Sequence, residues 1–454
     1  MNRQLVGAKS LRKRQCLDVQ QEIAAGDCTS RTESFRCSKM QNKIFREQSS
    51  ASSVNKYMSV EEKRIDIPIV DNKEFRMDLI ARIEAVTLKI INQIAAGQPP
   101  CISYCNIDKS IATKKSNLCE KNVHAECSSS LQLNTISNDF SSNFADKQDT
   151  GEKNSFENSK KTIDFAIENS RNKFTLMVMI LSEVHHLLLT NTTKTKRSFY
   201  YDLKNKVTKS LMLNQRSIDC ALNSVANLLD CAPWDLRFLA MTKGLVAGNM
   251  TITLIDNRVI DCAILGGVQI PQITLNATSI RVKANFVLVI EKDAIFQKLL
   301  EEDCPRILKC ILVTGKGYPD VNTRMLVNIL SEKVGLPIYI IVDADPFGVD
   351  IMLLYRFGSS ILCRQNKCLA CPNARWLGIH PSELTILGVK TVSLTQIDSM
   401  KLKSIETKTY INDAISKELS ILKKGKTDIG VLSFTRNFLT ATYLPYKIDG
   451  KKYI

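Results

Sequence analysis

Three short runs of uninterrupted apolar residues, FVLVI at 286–290, ILVT at 311–314 and IYIIV at 338–342, constrain this chain more than any other feature. None of them alternates with polar residues, so a strand built from each must bury both of its faces. Parallel strands covered by helices on two sides meet that demand. Helical spacing fills the gaps, at 294–300 and at 323–334, where Met325, Ile329 and Leu330 lie. Apolar strand, helix, apolar strand predicts an α/β domain with a mostly parallel sheet, and reactive groups in such sheets gather at the carboxyl ends of the strands.

Acids stand at those ends. Glu291 follows the first run, and Asp343 and Asp345 follow the third. Carboxylates from two strand ends offer the hard oxygens that Mg²⁺ prefers, and the Asp-x-Asp spacing lets both aspartates face one cleft. Acids in such places also cap helices and solubilise loops, so both readings stand. Gly315-Lys316-Gly317 is a tight basic loop, not a P-loop, because G-x-x-x-x-G-K-[ST] is absent.

The chain before residue 281 has another pattern. Residues 1–60 lack periodicity and are expected to be a disordered tail. Leu79, Ile83, Val86, Ile90 and Ile94 draw a helical stripe that stops at Gly97, Pro99 and Pro100, so 61–105 is read as an N-terminal helix. Residues 106–160, rich in Ser, Asn, Lys and Asp, are read as a flexible insert. Phe174, Met177, Leu181, Val184 and Leu188 form a second stripe. Residues 191–210 then carry six basic side chains against one acid, Asp202. Ser217 is placed as the N-cap of a helix carrying Ile218, Leu222, Val225 and Leu229, and Pro233 as the start of another running through Leu239. TITLIDNRVIDC reads as a β-hairpin around Asp256–Asn257. Helix, tight turn, helix and hairpin across 161–280 is the order of a winged helix-turn-helix that binds DNA, although domains that bind no DNA share it.

Charge and cysteines narrow the setting. Lys and Arg number 62 against 46 Asp and Glu, a net charge of +16, which favours a polyanion partner over a generic acidic enzyme. No apolar run approaches the roughly 18 residues of a membrane span, and no signal-peptide core is visible, so a membrane location is not expected. The 15 cysteines, with Cys220, Cys262 and Cys310 in apolar surroundings, are read as reduced. Arg12-Lys13-Arg14 is either part of a nuclear import signal or a solvated terminus.

Tyr200 and Tyr201 follow Lys194, Lys196 and Arg197. A tyrosine can attack a phosphodiester, but with a free pKa of about 10 it needs a cation, base or metal beside it. Arg197 is close enough in sequence to offset charge on phosphorus. A tyrosine pair is also the ordinary pattern of one core ring and one surface ring.

Six blocks, TKRSFYY (195–201), TKGLVAGN (242–249), VLVIEKDAIFQ (287–297), TGKGYPDVNTR (314–324), IIVDADPFGVDI (340–351) and RWLG (375–378), together closely resemble the meiotic DNA double-strand-break transesterases, relatives of the topoisomerase VI A subunit. The likeness runs over 164–454. It implies a winged-helix domain over 161–280 followed by a Toprim-type α/β domain over 281–454. It further implies Tyr201 as nucleophile, Tyr200 as the less essential ring and Arg197 as the basic residue at the phosphate. Glu291, Asp343 and Asp345 would be the acids that hold Mg²⁺. Lys243 would contact DNA, with Lys196 and Lys316 as further DNA-binding candidates, and Arg324 would serve phosphate or fold. Double-stranded DNA, a homodimer or paralogue heterodimer, meiotic accessory proteins and a topoisomerase VI B-like subunit are the implied partners, and the nucleus the implied location. Three features depart from the family's pattern, the first being the long insert at 106–160. Ser198 stands where an Asp is usual, and Cys363-x₄-Cys368-x₂-Cys371 invites zinc, although without a fourth ligand nearby reduced thiols are the preferred reading.

Overall fold

The computed structural model of the chain describes residues 60–67, 73–106, 159–204, 214–273, 277–432 and 437–454. The expected disordered tail and flexible insert lie outside the described residues, apart from their last or first few positions. The segment 61–105 is not one helix. It holds strand β1 (Lys63–Asp66), helix α1 (Lys73–Ala95) and strand β2 (Cys101–Asn106). β2 pairs antiparallel with β3 (Ser159–Asp164), which leads into α2 (Glu168–Leu189). Then come β4 (Lys194–Thr195), α3 (Lys196–Leu203), α4 (Gln215–Leu228) and β5 (Phe238–Leu239). Leu79, Ile83, Ile163, Phe174, Met177, Leu181, Val184, Leu188, Phe199, Leu222 and Phe238 close one apolar core among these elements. The second stripe of the sequence therefore faces inward as its spacing predicts, whereas Ile94 of the first is exposed.

Two local expectations are corrected. The N-cap of α4 is Asn214, whose side chain accepts from the Ser217 N–H at 2.7 Å, so Ser217 is three residues inside the helix. No helix starts at Pro233. Asp235 Oδ2 accepts the Ala232 N–H at 2.8 Å to tie off a turn, Arg237 is left-handed at φ 62°, and Phe238 leaves as β5 to pair parallel with β4. The expected second helix of a helix-turn-helix is thus a set of turns. Packing of Phe238 on Phe199, ring centroids 5.0 Å apart, outweighs the helix-start preference of proline.

The remaining strands are β6 (Leu245–Ala247), β7 (Met250–Leu254), β8 (Val259–Asp261), β9 (Val268–Gln269), β10 (Ala277–Val282) and β11 (Phe286–Ile290). After α5 (Asp293–Glu301) and α6 (Cys304–Leu308) come β12 (Cys310–Thr314), α7 (Val321–Glu332), β13 (Ile338–Ile341), α8 (Pro346–Phe357) and β14 (Arg375–Gly378). The expected hairpin exists as β7 and β8, but it joins β1 and β10 in a four-stranded antiparallel sheet whose apolar residues belong to the core of the second half, not to the core around α2 and α3. The larger sheet has the order β14-β13-β11-β12-β6-β9. Its first four strands are parallel, and β6 and β9 are added antiparallel. This is the mostly parallel sheet predicted from the three apolar runs. Val287, Val289, Ile311, Val313 and Ile340 point to one core, and Leu288, Ile290, Leu312 and Ile341 to the core on the opposite face. Burial on both faces is the reason the runs do not alternate.

Gly248 turns the chain from β6 in one sheet to β7 in the other. Its φ is +131°, and a Cβ there would come within 2.7 Å of the Cys310 carbonyl oxygen. Gly248→Ala is expected to destabilise the protein by about 1–3 kcal/mol, as overpacking against backbone does, read as a lowered midpoint in urea with an unchanged m-value.

Candidate active site

Helix α3 presents the tyrosines. Thr195 caps it, its hydroxyl accepting the Ser198 N–H at 3.0 Å. Phe199 and Leu203 are buried beneath, and Lys194 holds Glu183 and Asp202, each at 2.7 Å, while Lys196 holds Asp219 at 2.9 Å. With one face pinned, the residues four apart on the other face, Arg197 and Tyr201, are turned to solvent. Tyr201 is 55% exposed, and the Arg197 guanidinium lies over its ring, 5.9 Å from the centroid. Tyr200 is the half-buried ring of the pair, packed against the helical core. No hydrogen-bond partner meets the Tyr201 hydroxyl among the described residues. Lys196, whose side chain is 26% exposed, shares its charge with Asp219.

Ser198 occupies the third helical position after Thr195, where a carboxylate would complete a capping box. The same chain builds one at Thr395 and Asp398. Ser198→Asp is expected to stabilise the protein by about 0.3–1 kcal/mol through the helix dipole and the box, seen as a higher melting temperature.

The second group lies at the carboxyl ends of β11 and β13. Glu291 Oε2 accepts the Asp343 N–H at 2.9 Å. Asp343 Oδ1 accepts the Ile429 N–H at 2.9 Å, and its Oδ2 pairs with Lys292 Nζ at 2.9 Å. Asp345 is the N-cap of α8 and accepts the Gly348 N–H at 2.6 Å. Gly348 is required for this approach, since a Cβ would stand 2.5 Å from the Asp343 carbonyl oxygen and 3.0 Å from Glu291 Oε2. Burial, then the charges of Asp343 and Asp345, push the Glu291 carboxyl up to about 7. Burial and the Asp343 charge also raise Asp345, against the Gly348 hydrogen bond.

Among the described residues no set of three His, Cys, Asp or Glu closes around a single point as a finished metal site. Each acid instead gives an oxygen to a protein donor. The donor set nevertheless fits a hard divalent cation: three neighbouring carboxylates, an excess of negative charge felt at Glu291, and an ammonium seated on Asp343.

Lys316 and Lys243 border this group. Lys316, left-handed at φ 52° between two glycines, pairs with Asp293 at 3.1 Å. Lys243 Nζ donates to the Lys316 carbonyl at 3.2 Å, and the Gly317 N–H donates to the Glu291 carbonyl at 2.9 Å. Arg324 is 3% exposed and donates to the Leu369 carbonyl, so of its two candidate roles it serves the fold. Cys363, Cys368 and Cys371 are free thiols, and burial pushes Cys371 up to about 12. Cys262 and Cys310 are buried as expected, but Cys220 is exposed. His380 does not approach those cysteines as a ligand. Its Nε2 faces the Trp376 carbonyl and its Nδ1 faces Lys447. The structure thus brings together Glu291, Asp343, Asp345, Lys316 and Lys243. Tyr201, Arg197 and Lys196 are grouped on α3. Sequence reading missed Lys292 as a partner of these acids, although it adjoins Glu291, and Asp428, which no local pattern marks.

A carboxyl raised in the folded state favours folding while protonated and loses that advantage as pH climbs through its folded pKa. For metal-free protein, stability contributed by Glu291 is therefore present below about 4.5 and is lost by about 7 and above. Glu291→Gln should match the unmutated chain at pH 4 and exceed it at pH 8, by on the order of 2–3 kcal/mol, in denaturant titrations run with EDTA.

Comparison with known proteins places these two groups in one lineage. A family model for the Toprim domain of the topoisomerase 6 A-subunit and Spo11 proteins matches residues 286–448, and one described as Type IIB DNA topoisomerase matches 172–238. Human Meiotic recombination protein SPO11 is 36% identical over 289 residues, 62% of this chain and 72% of the relative. Meiotic recombination protein W68 of Drosophila melanogaster is 34% identical over 65% of this chain and 88% of its own length. The DNA topoisomerase 6 A-subunit of Arabidopsis thaliana is 32% identical over 64% and 69%. A buried acid cluster inside the Toprim match, an exposed tyrosine inside the N-terminal match and relatives aligned along most of their lengths lead to one conclusion: the chain belongs to the family of Spo11 and the topoisomerase 6 A-subunit.

Proposed function

We propose that this chain is a topoisomerase-like transesterase that makes meiotic DNA double-strand breaks, with Tyr201 as its nucleophile. The observation that carries the reading is the exposed Tyr201 ring under the Arg197 guanidinium, on a helix whose opposite face is pinned in the core. The Tyr201 phenolic oxygen attacks a backbone phosphorus. The bond from phosphorus to the 3′ oxygen breaks, the phenol gives up its proton, and the departing oxygen gains one to become a 3′ hydroxyl. One phosphoester replaces another, no water is consumed, and the 5′ end stays on the tyrosine. Arg197 holds the phosphate charge as it builds. Glu291, Asp343 and Asp345 would hold Mg²⁺, which when bound offsets phosphate charge and steadies the leaving oxygen. Lys243 and Lys316, beside the acids, contact the DNA backbone, and the helical unit carrying α3 acts as a DNA-binding element.

Tyr201 and the acids sit on different units, and no hydrogen bond or ion pair joins them among the described residues. This supports a homodimer or paralogue heterodimer in which one protomer's tyrosine works at the other's acids. A B-type subunit, meiotic accessory proteins and action in the nucleus belong to the same proposal. The likeness to a topoisomerase 6 A-subunit favours one second reading, a protein that cuts and reseals DNA with an ATPase partner.

The test is covalent capture. Full-length protein, expressed in meiotic cells lacking their own cutting enzyme, is immunoprecipitated under denaturing conditions, and the attached 3′ ends are labelled. Tyr201→Phe should abolish the label and Tyr200→Phe should keep it, while Arg197→Ala lowers it by roughly 10²–10³-fold, as loss of one preorganised charge donor does. Retained label in Tyr201→Phe rejects the nucleophile. Relaxation of supercoils with a B-type partner would favour the resealing reading.

A further inference from the structure

Lys292 follows Glu291 directly and caps the start of α5, yet its side chain does not act as a cap there. It reaches across to Asp343 Oδ2 at 2.9 Å and also bonds Asp428. Asp428 comes from a segment that wraps the same carboxylate: the next residue, Ile429, donates its N–H to Asp343 Oδ1 at 2.9 Å. The Asp428 carboxylate is fixed by its own loop, accepting the Gly430 N–H at 2.6 Å. The two acids that share the ammonium differ in setting, since the Asp343 side chain is 9% exposed and that of Asp428 is 55% exposed.

We propose that Lys292 is a built-in counter-cation of the acid pocket, displaced from Asp343 when a divalent cation enters, and that Asp428 is the carboxylate that receives it. The inference rests on the reading that Glu291, Asp343 and Asp345 hold Mg²⁺. A single ammonium offsets part of the charge of three carboxylates, which lets the pocket stay folded without metal. A divalent ion offsets more, and it repels the ammonium from Asp343. The solvated Asp428 keeps the lysine paired after it moves. Metal affinity is then set by a competition within the chain.

The experiment is a titration of purified full-length protein with Mn²⁺, free ion being read by its EPR signal and Mg²⁺ used as competitor. Lys292→Met should tighten Mn²⁺ binding roughly tenfold, the scale of one charge-assisted contact no longer competing. Lys292→Arg, which keeps the charge, should bind close to the unmutated chain. Asp428→Asn should weaken binding severalfold, because the lysine has lost its alternative partner, and should have no effect in the Lys292→Met background. Thermal melts without metal show whether each variant folds. A Lys292→Met chain that folds only with Mg²⁺ gives the same support as tighter binding.

Unchanged affinity in a folded Lys292→Met overturns the counter-cation role. Equal weakening by Asp428→Asn with and without Lys292 overturns the receiving role, because Asp428 would then be a direct ligand. Asp345→Asn separates this failure from that of the underlying reading. If it binds Mn²⁺ as well as the unmutated chain does, the pocket itself is not the metal site and both fall.

Discussion

The pairing of β11 with β13 is the constraint on which the chemistry depends. Ile290 stands beside Ile341 in that register, and the Glu291 N–H continues the ladder to the Ile341 carbonyl at 3.1 Å. Both strands are buried on two faces, so neither can slide without moving its apolar side chains out of register with two cores. The acids that follow them are therefore carried to one place by the packing of residues that have no chemistry of their own. Bringing like charges together in a partly buried site is unfavourable, and the neighbouring backbone lessens the cost: N–H groups of Asp343, Ile429 and Gly348 each meet one of the three carboxylates.

The tyrosine is held by the opposite logic. Tyr201 stands on an exposed face, whereas Asp343 is buried. The chain separates the two onto different apolar cores. Between them, Arg364 pairs with Asp230 at 2.8 Å, and Arg82 donates to the Leu229 carbonyl at 2.8 Å beside it. These contacts tie α1 and the turn after α4 to the segment 363–371. The cysteine-rich stretch that departs from the family's pattern thus takes part in joining the two halves.

Legibility in the sequence followed the range of the interaction concerned. The parallel strands were readable because two-sided burial writes itself into consecutive residues. The acids were readable because they follow those strands directly. The inward face of α2 was readable from helical spacing, and Tyr201 could be singled out because a basic cluster adjoins it. Interactions between distant residues left no such trace. Pro233 looked like a helix start until Phe238 found Phe199. The helix read across 61–105 hid β1, whose partner β10 begins at Ala277. Lys292 meets Asp428 across 136 positions of chain, and nothing local to either residue marks the other.

Ser198 shows how a departure from a family pattern can be weighed physically. A carboxylate at that position would have two uses, to complete the cap of α3 and to pair with Arg197. Thr195 already supplies half of the cap, and the Tyr201 ring already lies beneath the guanidinium. Neither use is left wholly unmet, so the serine trims the stability of the helix without removing what orients it. The inward anchors, Phe199, Leu203 and the Lys194 ion pairs, fix the helix, and the helix in turn fixes where Arg197 and Tyr201 point. The position of Tyr201 thus depends chiefly on buried residues one turn away, and only secondarily on the residue that differs.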